Sequence, residues 1–145
     1  MIVTMTEQTR APAHIERIPI RWGDMDALGH VNNTVYFRYM EQARIGWFER
    51  LAADGAWKEL GIVIVSTACN FRRALAYPGT VEVRLYTDEP GGSSVRTRYE
   101  LRREDDTELC ADGEAVVVFV DRASGRPVRI PEAVRAQLVG GDAAA

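Results

Sequence analysis

The chain has 145 residues, 46% of them hydrophobic, which suits one ordinary domain with a real core rather than two small ones or a disordered chain. Its formal charge is −3 and its acidic and basic residues are interleaved, so it lacks the basic footprint that nucleic acids or anionic lipid surfaces select. No segment approaches the roughly 18 apolar residues of a membrane span. The first 13 residues lack the apolar core and small-residue cleavage site of a signal peptide. Cys69 and Cys110, both in apolar strand-like runs, are expected as buried thiols, and the protein as cytoplasmic.

In chain order, His14 to Trp22 alternates polar and apolar residues through Ile15, Ile18 and Ile20, which predicts a first strand. From Thr34 to Leu51 the apolar residues Val35, Tyr36, Tyr39, Met40, Ala43, Trp47, Phe48 and Leu51 recur at three-to-four spacing. They form one wide stripe on a helix of about five turns. Asn32, Asn33 and Thr34 can cap its start, and Asp54 and Gly55 mark its end. Gly61 to Phe71, Thr80 to Tyr86, Ser94 to Leu101 and Glu108 to Val120 then read as four strands.

A turn at Glu89, Pro90, Gly91 and Gly92 makes a hairpin of the middle two, and Gly113 inside the last reads as a bulge in a strand that closes the sheet. Pro131 opens a short terminal helix. The order predicts a single α+β domain over 1–145, a curved antiparallel sheet of about five strands wrapped around one long helix. Residues 1–12 and 139–145 are expected as flexible tails.

The stretch RWGDMDALGHVNNTVYFRYMEQAR, residues 21–44, places Asp24, Asp26, His30, Asn32 and Asn33 just before the helix. Free N–H groups and the positive end of the helix dipole can hold an oxyanion, and a nearby carboxylate can act as nucleophile or general base. Acyl transfer from a thioester needs that pairing. The plainer reading of Asp26 is an Asx turn. Asp24 with Asp26 lacks a third spaced ligand, so no metal or other cofactor is expected.

His30 suits either loop hydrogen bonding or the positioning of substrate or water, while His14 is structural. Glu41 and Arg44, three apart on the helix, predict a surface or interface ion pair. Trp47, Phe48, Tyr36 and Tyr39 read as core or acyl-pocket lining. Arg72, Arg73 and Arg126 carry the guanidinium geometry that matches phosphates, although each also reads as a solvated surface arginine.

The D-x-D-x-x-G-H-V-N-N core, the following Tyr36, Glu41 and Arg44, and the late segment FVDRASGRPVRIP together resemble the hot-dog acyl-CoA thioesterases related to 4-hydroxybenzoyl-CoA thioesterase. The resemblance covers nearly the whole chain. It implies a hot-dog fold and hydrolysis of an acyl-CoA to a carboxylic acid and CoA. Asp26 would be the catalytic carboxylate, Asp24 a structural residue, the Asn33 N–H the oxyanion donor and His30 an assistant.

With acyl-CoA as partner, Tyr36 would contact substrate and Arg73 and Arg126 would meet CoA. The resemblance also implies a homodimer or homotetramer whose sheets join edge to edge, with active sites at the subunit boundary. The same segment is similar to DLDVNQHVNN of plant acyl-ACP thioesterases, but Leu28 stands where their catalytic asparagine falls, which leaves Asp26 and the helix end as the simpler proposal. The alternatives are a hot-dog hydratase or dehydratase, disfavoured because the helix has no histidine, and a non-catalytic acyl-thioester binder.

Overall fold

The computed structural model describes residues 10–140, so those parts of the expected tails at 1–9 and 141–145 lie outside the described residues. Strand β1 (His14–Pro19) is followed by helix α1 (Asn33–Leu51) and strands β2 (Leu60–Phe71), β3 (Thr80–Thr87), β4 (Ser94–Arg103) and β5 (Leu109–Asp121). Helix α2 (Glu132–Gly140) ends the described chain. The strands form one antiparallel sheet in the order β1-β3-β4-β5-β2. The fold is an α+β hot dog, with α1 held against the sheet.

Alternation creates the core. Val81, Val83 and Leu85 of β3, Val95, Tyr99 and Leu101 of β4, and Ala115, Val117 and Phe119 of β5 present one face, and all are buried. Against them α1 sets Tyr36, Tyr39, Met40, Ala43, Trp47, Phe48 and Leu51, the predicted stripe. An aromatic chain of Trp47, Phe48, Trp57 and Phe119, with ring centroids 5.1 to 5.5 Å apart, fixes the C-terminal end of α1 to the sheet.

Three expectations need correction. The first strand ends at Pro19, because residues Trp22–Asp24 turn into a short 3-10 segment that leaves Trp22 exposed. β5 does not close the sheet but lies between β4 and β2, which makes β1 and β2 the edges. Gly113 is not a bulge. It pairs in register with both Cys69 and Tyr99, and it is needed because a Cβ there would stand 2.6 Å from Met40 Sδ. The register shifts fall instead between Ile64 and Ser66 and between Leu101 and Arg102.

β2 is unusual for an edge. Its sequence, LGIVIVSTACNF, has no charged residue, and Ile62, Val63, Ile64 and Val65 are all well exposed, Val65 to 58%. Edge strands normally carry charge or proline against unwanted pairing. Among the described residues no helix is long and apolar enough to cross a membrane.

Candidate active site

The D-x-x-G-H spacing makes a tight hairpin. Met25 bridges to Val31, the Asp26 N–H donates to the His30 carbonyl (3.0 Å), and the Gly29 N–H donates to the Asp26 carbonyl (3.0 Å). Gly29 sits at φ 84°, the left-handed position that ends such a three-residue loop and favours glycine. The Asp26 side chain accepts the Leu28 N–H at Oδ1 (2.9 Å), so the Asx turn is present. Its other oxygen faces the helix.

Asn32 joins the two halves of the site. Its Nδ2 donates to Asp26 Oδ2 (2.9 Å), and its Oδ1 accepts the Thr34 N–H (2.9 Å) as the N-cap of α1. The carboxylate is thereby fixed to the helix N-terminus by one side chain. The Leu28 N–H first, and then the Asn32 amide, hold the Asp26 carboxyl below its ordinary pKa. Spacing marks Asn32 as a cap signal within the polar cluster before the helix, but not what the other end of its amide touches.

Asn33 is the first residue of α1, and its N–H has no acceptor among the described residues. It lines a cavity of about 270 Å³ with His30, Val31, Tyr36, Phe71, Arg72, Arg73 and Ala74. Asp26 does not line this cavity but stands beside it through Asn32. His30 is exposed on its rim. Tyr36 is buried, its hydroxyl accepts the Leu75 N–H (3.1 Å), and its ring meets Phe71 edge-on at 5.0 Å. Burial pushes the Tyr36 hydroxyl pKa up, so it stays protonated.

The wall formed by residues 72–79 is tied down on several sides. The Arg72 and Arg73 N–H groups donate to the Cys110 carbonyl (2.8 and 3.0 Å), and the Val31 N–H donates to the Leu75 carbonyl (2.8 Å). The Arg103 guanidinium donates to the carbonyls of Ala76 and Pro78, both at 3.1 Å. Asp24 turns away from Asp26. Its Oδ2 accepts the Arg21 N–H (2.9 Å) and the Tyr39 hydroxyl (2.8 Å), which locks the 3-10 turn onto α1.

The arginines are placed unequally. Arg73 reaches the cavity and pairs with Glu108 (2.7 Å) and Asp106 (3.7 Å), while Arg72 pairs with Asp112. Arg126 is elsewhere, in the turn after β5. There its carbonyl accepts the Asp121 N–H (2.8 Å), close to where the Arg122 guanidinium donates to the Leu60 carbonyl. The expected pairing of Glu41 with Arg44 is absent. Glu41 pairs with Arg38 (3.0 Å), and Arg44 turns inward to the Tyr99 hydroxyl (3.2 Å).

Known proteins share this arrangement of chain. The solved PA2801 protein of Pseudomonas aeruginosa is 37% identical, with a TM-score of 0.79 and coverage of 86% of this chain and 97% of its own. A thioesterase from Thermus thermophilus, solved in complex with coenzyme A and Zn, is 32% identical, with a TM-score of 0.78 and coverage of 90% and 94%. The YsmA protein of Bacillus subtilis strain 168 is 32% identical over 114 residues, 77% of this chain and 76% of its own. The profile of the Thioesterase-like superfamily matches residues 20–138, and this chain belongs to that family.

Proposed function

We propose that the protein is an acyl-CoA thioesterase whose catalytic pair is the Asp26 carboxylate and the N-terminus of α1. The observation that carries this reading is Asn32, which binds Asp26 through one side-chain atom and caps the helix through another. Carboxylate and helix end therefore form a single unit. A thioester carbonyl at the helix end would accept the Asn33 N–H, and its oxygen would gain negative charge as the carbon is attacked.

Asp26 supplies the attack in one of two balanced ways. It adds to the carbonyl carbon itself, giving an anhydride that water later opens, or it takes a proton from a water that adds instead. Either route expels CoA as the thiolate and yields the carboxylic acid. Tyr36 and Phe71 offer the acyl group an aromatic wall, and His30 stands at the entrance. The CoA complex of the Thermus relative supports CoA as the carrier.

The apolar edge of β2 supports a homodimer formed by antiparallel pairing of two β2 strands. Such pairing sets Leu60 of one chain near Phe71 of the other. It would thereby carry Arg122 and Arg126 toward the partner's cavity, where Arg126, with the cavity's own Arg73, can meet CoA phosphates. Cys69 and Cys110 are free thiols, which fits a cytoplasmic enzyme.

Thiol release from short, medium, long-chain and aryl acyl-CoAs tests the activity, with Asp26→Asn run in parallel and its fold checked by circular dichroism. Turnover by the wild type and a loss of about 100-fold or more in the variant are expected. A wild type inert on every thioester would overturn the enzyme reading. Equal turnover by both proteins would overturn the site.

A further inference from the structure

Two side chains of acidic or basic type are buried among the described residues, and their partners differ. Glu100, 5% exposed, is answered by the Arg102 guanidinium (3.0 Å) and by the Tyr86 hydroxyl. Arg44, 8% exposed, has no carboxylate within ion-pair distance among the described residues. Its polar contact is the Tyr99 hydroxyl at 3.2 Å, with the guanidinium 5.9 Å from the Tyr99 ring.

That hydroxyl cannot relay a negative charge. Thr97 Oγ1 donates to the Ala115 carbonyl (2.9 Å), so Tyr99 donates to Thr97 (2.6 Å) and accepts from Arg44. The chain of donors ends on a neutral carbonyl. Burying a cation without an opposite charge is costly, so an anion from beyond the described residues would complete Arg44.

The position of Arg44 says which anion. Phe37, Glu41, Arg44 and Phe48 lie at four-three-four spacing along one flank of α1. At one end of this flank Phe37 meets Phe71 (6.5 Å). At the other, Phe48 shares a cavity of about 250 Å³ with Leu60, Gly61 and Ile62. The flank thus runs along β2, and the spacing along α1 puts Glu41 and Arg44 between its two ends, while the strand bulges at Val65. In the β2-paired dimer proposed above, a twofold axis through the middle of β2 would bring a second α1 alongside, antiparallel, with Glu41 and Arg44 of both copies toward the axis.

We infer that Arg44 is completed by Glu41 of a second copy, the exchange occurring twice about the twofold. This rests on the β2-paired dimer proposed above. Among the described residues Glu41 is half exposed and its ion pair is with Arg38, itself 79% exposed, a rim pair that gives up little when Glu41 turns across the seam. The ion pair then lies at the centre of a seam of Phe37, Phe48 and the uncharged β2, with Arg122 and Arg126 toward its ends. It fixes the register of two surfaces that apolar contact alone would leave free to slide.

The test exchanges the charges. Glu41→Arg and Arg44→Glu chains are prepared separately and mixed, and their association is followed by sedimentation equilibrium with folding checked by circular dichroism. Each variant alone carries like charges at the axis and is expected to dimerise at least 100-fold more weakly than wild type. The 1:1 mixture pairs both positions correctly and is expected to recover the dimer. Folded variants that dimerise like wild type, or a mixture that stays monomeric, would overturn the inference.

Should Arg44→Glu fail to fold, Glu41→Gln serves, since Glu41 is exposed. About tenfold weaker dimerisation is expected, with no further loss when Arg44→Met is added. Unchanged dimerisation in Glu41→Gln, with Arg44→Met losing turnover only on carboxylate-bearing acyl-CoAs, would assign the anion to substrate and overturn the pair. A monomeric wild type would remove the dimer itself, an outcome distinct from a stable dimer indifferent to these charges.

Discussion

At the residue scale the site turns on how Asp26 is held. A loop carboxylate left free in water would rotate among several rotamers. Here one oxygen accepts the Leu28 N–H and the other the Asn32 amide, so its direction is set before any ligand arrives. The same two donors lower its pKa below the ordinary 3.8. With a folded pKa below the unfolded one, this group adds stability above the unfolded pKa and loses it as pH falls through the folded value. If ionised Asp26 is the working form, the acid limb of kcat/KM lies below 3.8.

Asn32→Ala removes the second donor, and the acid limb is expected to move up toward 3.8, read from a pH–rate profile. Loss of the N-cap in the same variant costs about 1 kcal/mol in thermal unfolding. A variant with a lower melting temperature but an unmoved pH profile would mean that the Asn32 amide does not tune the working carboxylate.

At the scale of elements, Gly113 decides how closely α1 approaches the sheet. A methyl group there would stand 2.6 Å from Met40 Sδ and 2.8 Å from the Ala68 carbonyl, and the second of these is backbone of the paired strand that cannot swing away. Gly113→Ala is expected to cost about 1–3 kcal/mol, a fall of roughly 3–10 °C in melting temperature for a chain of this size. Gly92→Ala, where nothing lies within 4 Å and φ is ordinary, is the control and should melt like wild type.

The contrast also explains what could be read in advance. The stripe of α1 and the alternation of β3, β4 and β5 are local periodicities, so these elements and a sheet wrapped around a helix were legible, while the hot-dog class followed from the resemblance carried by D-x-D-x-x-G-H-V-N-N. Gly113 was legible as special but not in kind, because a glycine inside a strand signals either a bulge or a close approach. The real bulge at Val65 lies in a run of Ile and Val that offers no cue. Strand order was hidden too, since nothing local says that β5 inserts between β4 and β2.

The site divides the same way. The D-x-x-G-H turn and the helix cap are short-range chemistry, so the turn at Asp26 to His30 and the start of α1 at Asn33 were legible as local structure. The wall of residues 72–79 and the burial of Arg44 depend on contacts across the fold. A Glu and an Arg three apart on a helix default to a surface pair, and only the sheet beneath reveals that one of them turned inward.

At the scale of the whole molecule, each chain carries two cavities at opposite ends of β2. The one at Phe71 holds the helix N-terminus, and the one at Leu60 is framed by Phe48, Trp57 and Arg122. Twofold pairing through β2 would join unlike ends, so two complete sites would form where neither chain has one alone. Val65→Lys tests this without touching either cavity. The residue is 58% exposed, so the chain should fold and melt nearly as wild type, while a lysine at the centre of the edge opposes its own copy across the axis. Sedimentation is expected to show a monomer, and kcat/KM for acyl-CoA to fall at least tenfold. Wild type assayed at falling concentration should lose specific activity along the same curve as it dissociates. A Val65→Lys monomer with undiminished turnover would instead mean that the Asn33 cavity binds acyl-CoA unaided, and that the arginines at the far end of β2 have no part in holding it.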